Sequence, residues 1–295
     1  MKILLTGASG QVGQELCRLL ASDPAVELWA CDRTAIDLSQ PSAISTQVAS
    51  FKPEVIINAA AYTAVDKAEN EPELAYAINA KAPECLAQAA NQLGASLIHI
   101  STDYVFDGQQ CVPYREEDIC NPLGCYGRTK LAGERLVLQE CSRSLILRTA
   151  WVHGASGRGN FVKTMLRLGQ DKEQLRVVYD QVGTPTWSQD IAQAIVNLIP
   201  LLGEDMYGIY HFTNSGVTSW YDFAIAIFET AEQLGFSLKL KQVEPITTAE
   251  FPSPVQRPAY SVLGCEKIAG ILGAKAPYWR DSLRSMLTEL YGKVI

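Results

Sequence analysis

Histidine is scarce in this chain and cysteine is dispersed, which argues against a metal centre. The three histidines are His99, His153 and His211, and they lie far apart in the sequence. The eight cysteines are scattered, and none belongs to a Cys-x-x-Cys pair. Structural zinc sites and dithiol redox sites use closely spaced ligands. We therefore expect no metal site, and we expect reduced thiols that mostly fill the interior.

Long apolar runs and an excess of positive charge are also missing. No stretch approaches the roughly 18 apolar residues that cross a bilayer. Lys2 leads directly into a predicted strand rather than into a cleavable export signal. The formal net charge of −7 disfavours a nucleic-acid surface, because such surfaces are usually basic. We expect a cytoplasmic protein that has neither a membrane nor a nucleic acid as partner.

Short apolar segments alternate with helical patterns through the first part of the chain. Strands are predicted at 2–6, 26–31, 54–58, 95–100, 144–148 and 175–178, and helices at 11–21, 41–50, 71–93, 126–139 and 161–168. The alternation predicts an α/β fold, a Rossmann-type doubly wound parallel sheet with helices on both faces.

The pattern is less regular after about residue 183. Helices are predicted at 189–201, 220–234 and 282–291, a strand at 208–212 and a proline-rich surface loop at 245–259. We divide the chain approximately into a dinucleotide-binding domain, 1–183, and a smaller, interwoven, mainly substrate-binding lobe, 184–295.

Gly7, Gly10 and Gly13 follow the first predicted strand as Gly-x-x-Gly-x-x-Gly. Glycine permits a tight turn and lets a pyrophosphate approach the start of the next helix. The pattern is a spaced variant of the dinucleotide fingerprint and predicts a nicotinamide cofactor. Asp32 ends the second strand, where an acidic residue binds ribose hydroxyls, but the adjacent Arg33 suits a 2′-phosphate. NADPH and NADH both remain open.

Tyr126 and Lys130 are four residues apart, about one helical turn, and therefore share a helix face. An ammonium favours the anion of a nearby phenol, so we expect Tyr126 to act as a general acid and Lys130 to assist it and to hold the nicotinamide ribose. Ser101 and Thr102 end the fourth strand, and either hydroxyl is a candidate to bind the reacting oxygen. Our scheme uses Thr102 for this role.

Several longer stretches carry a resemblance that spans nearly the whole chain. They are segments 6–13, 58–69, 101–108, 126–134 and 148–152, then Asn160-Phe161, 180–186 and Arg257-Pro258. On these motifs the chain resembles the dTDP-4-dehydrorhamnose reductases, in the extended, nucleotide-sugar-binding branch of the short-chain dehydrogenase/reductase superfamily. The resemblance implies reduction of the C4 keto group of dTDP-4-dehydro-L-rhamnose by NAD(P)H, with a proton from Tyr126, to give dTDP-L-rhamnose.

The resemblance also assigns site residues. It places catalysis on Thr102, Tyr126 and Lys130, and substrate contacts on Thr102, Asp103 and Trp151, although Trp151 is equally compatible with a core position. Its cofactor contacts are Gly10, Gln11, Val12, Asp32, Asp37, Leu38, Ala61, Tyr62, Thr63 and Ile100. For the diphosphate of the substrate, the guanidinium of Arg257 is our candidate and Lys163 a weaker one.

Two other functions remain open from the sequence. An epimerase or dehydratase of the same superfamily would return its hydride to the same sugar, and a non-catalytic NADP-binding regulatory subunit would not turn over at all. Two positions also depart from the family. Tyr62 replaces an expected histidine, and Gln189 lies where some members carry an acidic metal ligand at a dimer interface, so a homodimer stays an open expectation.

Overall fold

A six-stranded parallel sheet forms the centre of the computed structural model, which describes residues 1–41 and 44–294. The strand order is β10-β5-β4-β3-β1-β2, and every neighbouring pair is parallel. Its strands are β1 (Lys2–Thr6), β2 (Glu27–Cys31), β3 (Val55–Asn58), β4 (Ser96–Thr102), β5 (Ser144–Thr149) and β10 (Gly208–His211). The chain reverses its direction of strand addition between β1 and β3, which is where Rossmann-type sheets bind their ligands.

Helices cover both faces of this sheet because alternate strand residues point to opposite sides. Ile3, Leu5 and Ile57 face a cluster with α1 (Gln11–Leu20), α8 (Ser188–Leu198) and α10 (Glu266–Leu272). Leu4 and Ile56 face a second cluster with α2 (Ile44–Phe51), α5 (Ala82–Leu93) and α6 (Cys125–Glu140). The predicted Rossmann-type fold is confirmed. Positions 42 and 43 of the predicted helix 41–50 lie outside the described residues.

The predicted helix 71–93 is helical but not uniform. After a short α3 (Val65–Ala68), it consists of α4 (Pro72–Tyr76), a π-helical turn (Ala77–Lys81) and α5. The π turn contributes Asn79, which is fully buried. Single π turns inside α-helices often lie at functional sites.

The remaining elements build a third cluster, away from the central sheet. Its helices are α7 (Phe161–Asp171), α9 (Trp220–Leu234) and α11 (Trp279–Val294). Short strands accompany them: β6 (Val152–His153), β7 (Gln174–Val178), β8 (Val182–Gly183), β9 (Thr186–Trp187), β11 (Thr218–Ser219) and β12 (Gln242–Ile246). Phe223 lies at the aromatic centre of this cluster, against Trp151, Phe161 and Trp279.

The prediction of a surface loop over 245–259 is wrong at its start. Pro245 and Ile246 end strand β12, which pairs in parallel with β7. Helix α10 was not predicted, and the last helix begins at Trp279 rather than 282. The third cluster also alternates along the chain with the sheet, since α7 and β7 pack in the third cluster while α8 and β10 return to the sheet. A single cut at residue 183 therefore does not separate the third cluster from the sheet.

None of the helices in residues 1–41 and 44–294 combines the length and the apolar character that crossing a membrane requires.

Candidate active site

The glycine turn between β1 and α1 has no room for side chains. Gly7 adopts a φ of 75°, and a Cβ there would lie 2.6 Å from the amide nitrogen of Ala60. A Cβ on Gly13 would overlap the carbonyl oxygen of Gly7. Gly10 precedes α1 and supplies no side chain to cap its first amides. The turn thus leaves a cradle at a helix N-terminus that fits the pyrophosphate of a dinucleotide.

Two predicted contacts lie beside this cradle. Gln11 begins α1, and its side-chain oxygen accepts a hydrogen bond from the Asn160 amide at 2.7 Å, which brings the loop before α7 against the turn. Val12 is buried in the sheet cluster. Val12 therefore shapes the turn from within, while Gln11 lies at its rim.

The end of β2 presents the residues predicted for the adenosine half. Asp32 and Arg33 are exposed, and Arg33 lies 3.7 Å from Asp37. One oxygen of Asp32 accepts bonds from the hydroxyl and the amide of Thr34, and these bonds lower the pKa of Asp32. Leu38 is buried beneath them. A carboxylate and a guanidinium are both available here, so the geometry does not choose between NADH and NADPH.

The segment after β3 is held by a residue that the sequence did not reveal. Asn79 in the π turn accepts a bond from the backbone amide of Tyr62 at 2.8 Å and donates to its carbonyl at 3.1 Å. The Tyr62 hydroxyl donates to Glu71 at 2.6 Å, and this bond raises the pKa of Tyr62 to about 12. Ala61 is half-buried and Thr63 exposed, so this segment forms an open, ordered wall.

Thr102 and Tyr126 come together at the carboxyl end of β4. The Thr102 hydroxyl donates a hydrogen bond to Asp103 at 3.0 Å and accepts one from the backbone amide of Tyr104 at 3.2 Å. Burial raises the pKa of the nearby Tyr126 phenol, and the Thr102 side chain partly opposes that rise. Tyr104 packs edge-on against Tyr126, with ring centroids 5.6 Å apart. The predicted hydroxyl and phenol are thus neighbours.

The expectation that Tyr126 ionises more readily than a free tyrosine is wrong for this structure. Burial raises the pKa of Tyr126, and Asp103 and Tyr104 act in the same direction. Desolvation disfavours the charged form of a phenol, and it is the largest influence on Tyr126 here. Tyr126 is therefore a protonated phenol at neutral pH.

Lys130 is fully buried one turn along α6. Its ammonium nitrogen donates to the carbonyl oxygen of Ile100 at 2.8 Å and lies 3.2 Å from Nε2 of His99. Burial lowers the pKa of Lys130 to about 8. Lys130 thus changes its charge close to neutral pH, and its contact with Ile100 fixes it at the end of β4.

Ser101, the competing hydroxyl, points to other partners. It donates to the carboxylate of Glu134, which Arg148 also binds in two places, at 2.9 and 2.7 Å. All three side chains are buried. Ser101 therefore supports a buried ion pair, while Thr102 is the hydroxyl beside Tyr126.

Asp103 is a buried carboxyl next to the reacting groups. Burial raises the pKa of Asp103 to about 6. Its Oδ2 atom is enclosed and has no hydrogen-bond partner among the described residues. The buried Ser261 side chain partly opposes this rise in the pKa of Asp103, which shows that it lies beside the carboxyl.

Trp151 lies between two structural neighbours. Its indole stacks on Trp220, with centroids 3.5 Å apart and planes 6° from parallel, and the backbone of Gly183 lies against its Nε1 edge. Its φ of 47° is unusual for a residue with a side chain. Trp220 therefore covers one face of the indole, and a sugar or base would contact Trp151 at the part of the ring that Trp220 leaves uncovered.

The two predicted phosphate-binding cations lie in different places. Arg257 donates to Asp66 at 2.9 Å and to Ser253 at 3.0 Å. Burial raises the pKa of the neighbouring Tyr104 to about 12, and Arg257 partly opposes that rise. Lys163 instead donates to the carbonyl oxygens of Ser156 and Gly157, beside the glycine turn. Arg257 therefore lies beside Tyr104, which packs on Tyr126, whereas Lys163 lies beside the glycine turn.

Residues 1–41 and 44–294 contain no group of three or more His, Cys, Asp and Glu side chains arranged to hold a metal. Gln189 is half-buried at the start of α8, and the neighbouring Asp190 accepts bonds from Asn214 and Ser282.

Comparisons with known proteins agree with this geometry. A family model described as the RmlD substrate binding domain matches residues 1–291. The chain is 44% identical to the dTDP-4-dehydrorhamnose reductase of Escherichia coli strain K12, over 99% of this chain and 98% of that protein.

Solved structures give the same result. The crystal structure of a dTDP-4-dehydrorhamnose reductase from Clostridium acetobutylicum superposes with a TM-score of 0.91 at 42% identity, covering 98% of this chain and 99% of that one. A dTDP-4-dehydrorhamnose reductase from Bacillus anthracis, solved in complex with NADP, gives a TM-score of 0.88 at 36% identity, covering 98% and 99%.

Proposed function

The chain belongs to the RmlD substrate binding domain family, and from this premise we propose that it is an NAD(P)H-dependent dTDP-4-dehydrorhamnose reductase. The resemblance inferred from the sequence motifs is confirmed by relatives of that name over the full length of the chain. The observation that carries the proposal is the meeting of Thr102, Tyr126 and Lys130 at the end of β4, on the same rim as the glycine turn.

The chain's own residues divide the work of the reduction. Bound reduced nicotinamide supplies the hydride for the C4 carbonyl carbon. Tyr126, which burial keeps protonated, donates its proton to the oxygen that becomes negatively charged. Thr102 turns its hydroxyl proton from Asp103 to the same oxygen when the substrate binds, and Lys130 holds the ribose and offsets the negative charge that Tyr126 acquires.

The cofactor fits the glycine turn and the walls around it. Gly7, Gly10 and Gly13 open the approach to the N-terminus of α1. Asp32, Arg33, Asp37 and Leu38 hold the adenosine half, while Ala61, Tyr62, Thr63 and Ile100 line the way to the nicotinamide. The relative from Bacillus anthracis is in complex with NADP, and Arg33 is the side chain suited to a 2′-phosphate, so NADPH is the cofactor to test first.

In this proposal residues 1–183 bind the cofactor and carry the reacting groups, while residues 184–295 mainly bind the sugar nucleotide. Asp103, which is 1% exposed in this structure, accepts a bond from a sugar hydroxyl once its carboxyl turns toward the site. Arg257 exchanges its bond with Asp66 for the diphosphate, since guanidinium binds phosphate in a bidentate manner. Trp151 contacts the substrate through the part of its indole ring that Trp220 does not cover.

The cytoplasm is the proposed location, because a reductase of nucleotide sugars needs a supply of reduced nicotinamide. A homodimer is the proposed assembly, and light scattering of the purified protein checks it by the molar mass.

Product analysis tests the function. Purified protein is mixed with NADPH and a dTDP-4-keto-6-deoxy sugar, with and without the upstream epimerase, and the nucleotide sugar is identified. We expect one NADPH consumed for each dTDP-L-rhamnose formed. A new sugar without net consumption of NADPH would instead identify an epimerase or dehydratase. Absence of any turnover, with NADPH binding intact, would favour a regulatory subunit.

A further inference from the structure

Four buried polar side chains form a chain of hydrogen bonds that ends at Lys130. The Thr6 hydroxyl lies 2.7 Å from Oδ1 of Asn58, and Nδ2 of Asn58 lies 2.9 Å from Nδ1 of His99. Nε2 of His99 lies 3.2 Å from Nζ of Lys130. The chain crosses from β1 through β3 and β4 to α6, and all four side chains are at most 1% exposed. Apolar residues at these strand positions would avoid the free-energy cost of burying polar groups. The presence of this series of hydrogen-bonded side chains therefore needs an explanation.

The orientation of Asn58 fixes the direction of these bonds. The backbone amide of Ala60 donates to Asn58 at 3.2 Å, and a backbone N–H can only donate. The atom that it meets must therefore be the amide oxygen, so the amide nitrogen of Asn58 faces His99. A side-chain NH₂ group donates, so Nδ1 of His99 must accept. A neutral imidazole that accepts at Nδ1 carries its proton on Nε2, pointing at Lys130.

This orientation matters for the charge on Lys130. An ammonium has three donors and no lone pair, so it cannot accept the Nε2–H of His99, whereas the uncharged amine can. The Ile100 carbonyl accepts from Nζ in either state. His99 itself stays neutral, because burial and the adjacent Lys130 lower its pKa well below the usual value.

Other charged groups near Lys130 do not override this preference. Glu134 lies one turn along α6 and raises the pKa of Lys130, but its carboxylate is bound twice by Arg148 from β5 and once by Ser101 from β4. Tyr126, one turn before Lys130 on α6, is protonated at neutral pH because burial raises its pKa. Among the described residues, the polar atoms bonded to Nζ are therefore Nε2 of His99 and the Ile100 carbonyl.

We propose that His99 is a positioning residue that, held by Asn58 with its proton on Nε2, donates to Lys130 and favours the uncharged amine. The inference rests on the proposed function, in which Lys130 lies beside Tyr126. Its consequence is that Lys130 gains and loses a proton in the pH range where the reductase works, instead of remaining a permanent cation. Asn58 and His99 thus set the upper pH limit of activity without touching the substrate.

Asn58→Asp is the variant that should reverse the direction of the hydrogen bonds through His99. A carboxylate accepts from Nδ1–H, so the proton of His99 moves to Nδ1 and Nε2 becomes an acceptor for the ammonium. The alkaline limb of kcat/KM against pH should then move up by about one pH unit. His99→Gln should shift the limb in the same direction, because its amide oxygen can turn to Lys130. In a His99→Leu background, Asn58→Asp should lose most of its effect, because no side chain relays it.

Nitrogen-15 NMR of the imidazole rings shows which nitrogen of His99 carries the proton, and it tests the proposed hydrogen bonds without an activity measurement. Three histidines are present, so His153→Gln and His211→Gln variants assign the signals. We expect His99 to be protonated on Nε2 in the unaltered protein and on Nδ1 in Asn58→Asp. Protonation on Nδ1 in the unaltered protein would overturn the proposal, as would alkaline limbs of Asn58→Asp and His99→Gln that match the unaltered protein. If the unaltered protein does not consume NADPH, the function proposal fails while the NMR result still decides the inference.

Discussion

Arg148 offers the sharpest test of what holds the catalytic end of the sheet together. Its guanidinium binds Glu134 in two places while the two side chains are 2% and 1% exposed. Replacing Arg148 by Met keeps an unbranched side chain but leaves a carboxylate buried with Ser101 as its remaining donor. Removing one partner of a buried ion pair costs about 3–5 kcal/mol of unfolding free energy.

Other contacts of Arg148 support the upper part of that range. The guanidinium lies 5.2 Å from the centroid of the Phe106 ring and 3.2 Å from Sγ of Cys120. Methionine keeps apolar contact with the ring but donates no hydrogen bond. The double variant Arg148→Met with Glu134→Gln should regain much of the loss, because no charge is then left buried without its partner.

Urea unfolding followed by circular dichroism measures the effect. Arg176→Met is the matched control, since Arg176 pairs with Glu244 and Glu250 while these side chains are about half exposed. We expect the control to change stability by about 0–1 kcal/mol. If Arg148→Met cost no more than Arg176→Met, the argument from burial would be refuted.

Three further predictions concern the site. Tyr126→Phe should keep NADPH binding but lower kcat by about 10²- to 10⁴-fold, as loss of a general acid does; unchanged turnover would remove Tyr126 as proton donor. Arg33→Ala should weaken NADPH binding by about tenfold, through loss of a charged hydrogen bond, and leave NADH binding nearly unchanged, as measured by fluorescence titration; equal losses would show that Arg33 does not contact the 2′-phosphate. Asp103→Asn should gain stability relative to the unaltered protein as the pH rises. The pKa of Asp103 is raised from 3.8 to about 6, so its favourable contribution is complete below 3.8 and is lost as the pH passes 6; urea midpoints that differ equally at pH 4 and pH 7 would contradict this assignment.

The position of the site could be predicted from the ends of the strands. Carboxyl ends of neighbouring parallel strands share one edge, so Thr6, Asn58 and Thr102 had to lie on a common rim. Strand alternation also separates Ser101 from Thr102, because successive side chains point to opposite faces. The sequence could not say which hydroxyl faced Tyr126, since that depends on where α6 packs.

The spacing of residues in the sequence does not report how buried a side chain is or which distant residues surround it. The four-residue separation of Tyr126 and Lys130 correctly indicates a shared helix face but says nothing about desolvation, which reverses the expected pKa change of Tyr126. Trp151 is covered by Trp220, a partner distant in sequence. Asn79 could have been noticed as a polar residue within an alanine-rich helix, but its bonds to Tyr62 require the π turn.

Strand β12 was missed because proline usually argues against a strand. Pro245 is tolerated there since β12 pairs with β7 and with no other strand in the described part of the chain, which places it at an edge where a missing amide hydrogen costs little.

The chain crosses repeatedly between the central sheet and the third hydrophobic cluster, and this limits how the molecule can move and fold. After β5 the backbone leaves the sheet for α7, returns for α8 and β10, leaves for α9, returns for α10 and ends in α11. A swinging motion about one hinge would have to bend all of these connections together. A fragment ending at residue 183 would lack edge strand β10 and helix α8, which packs with α1, so we expect that neither half folds without the other.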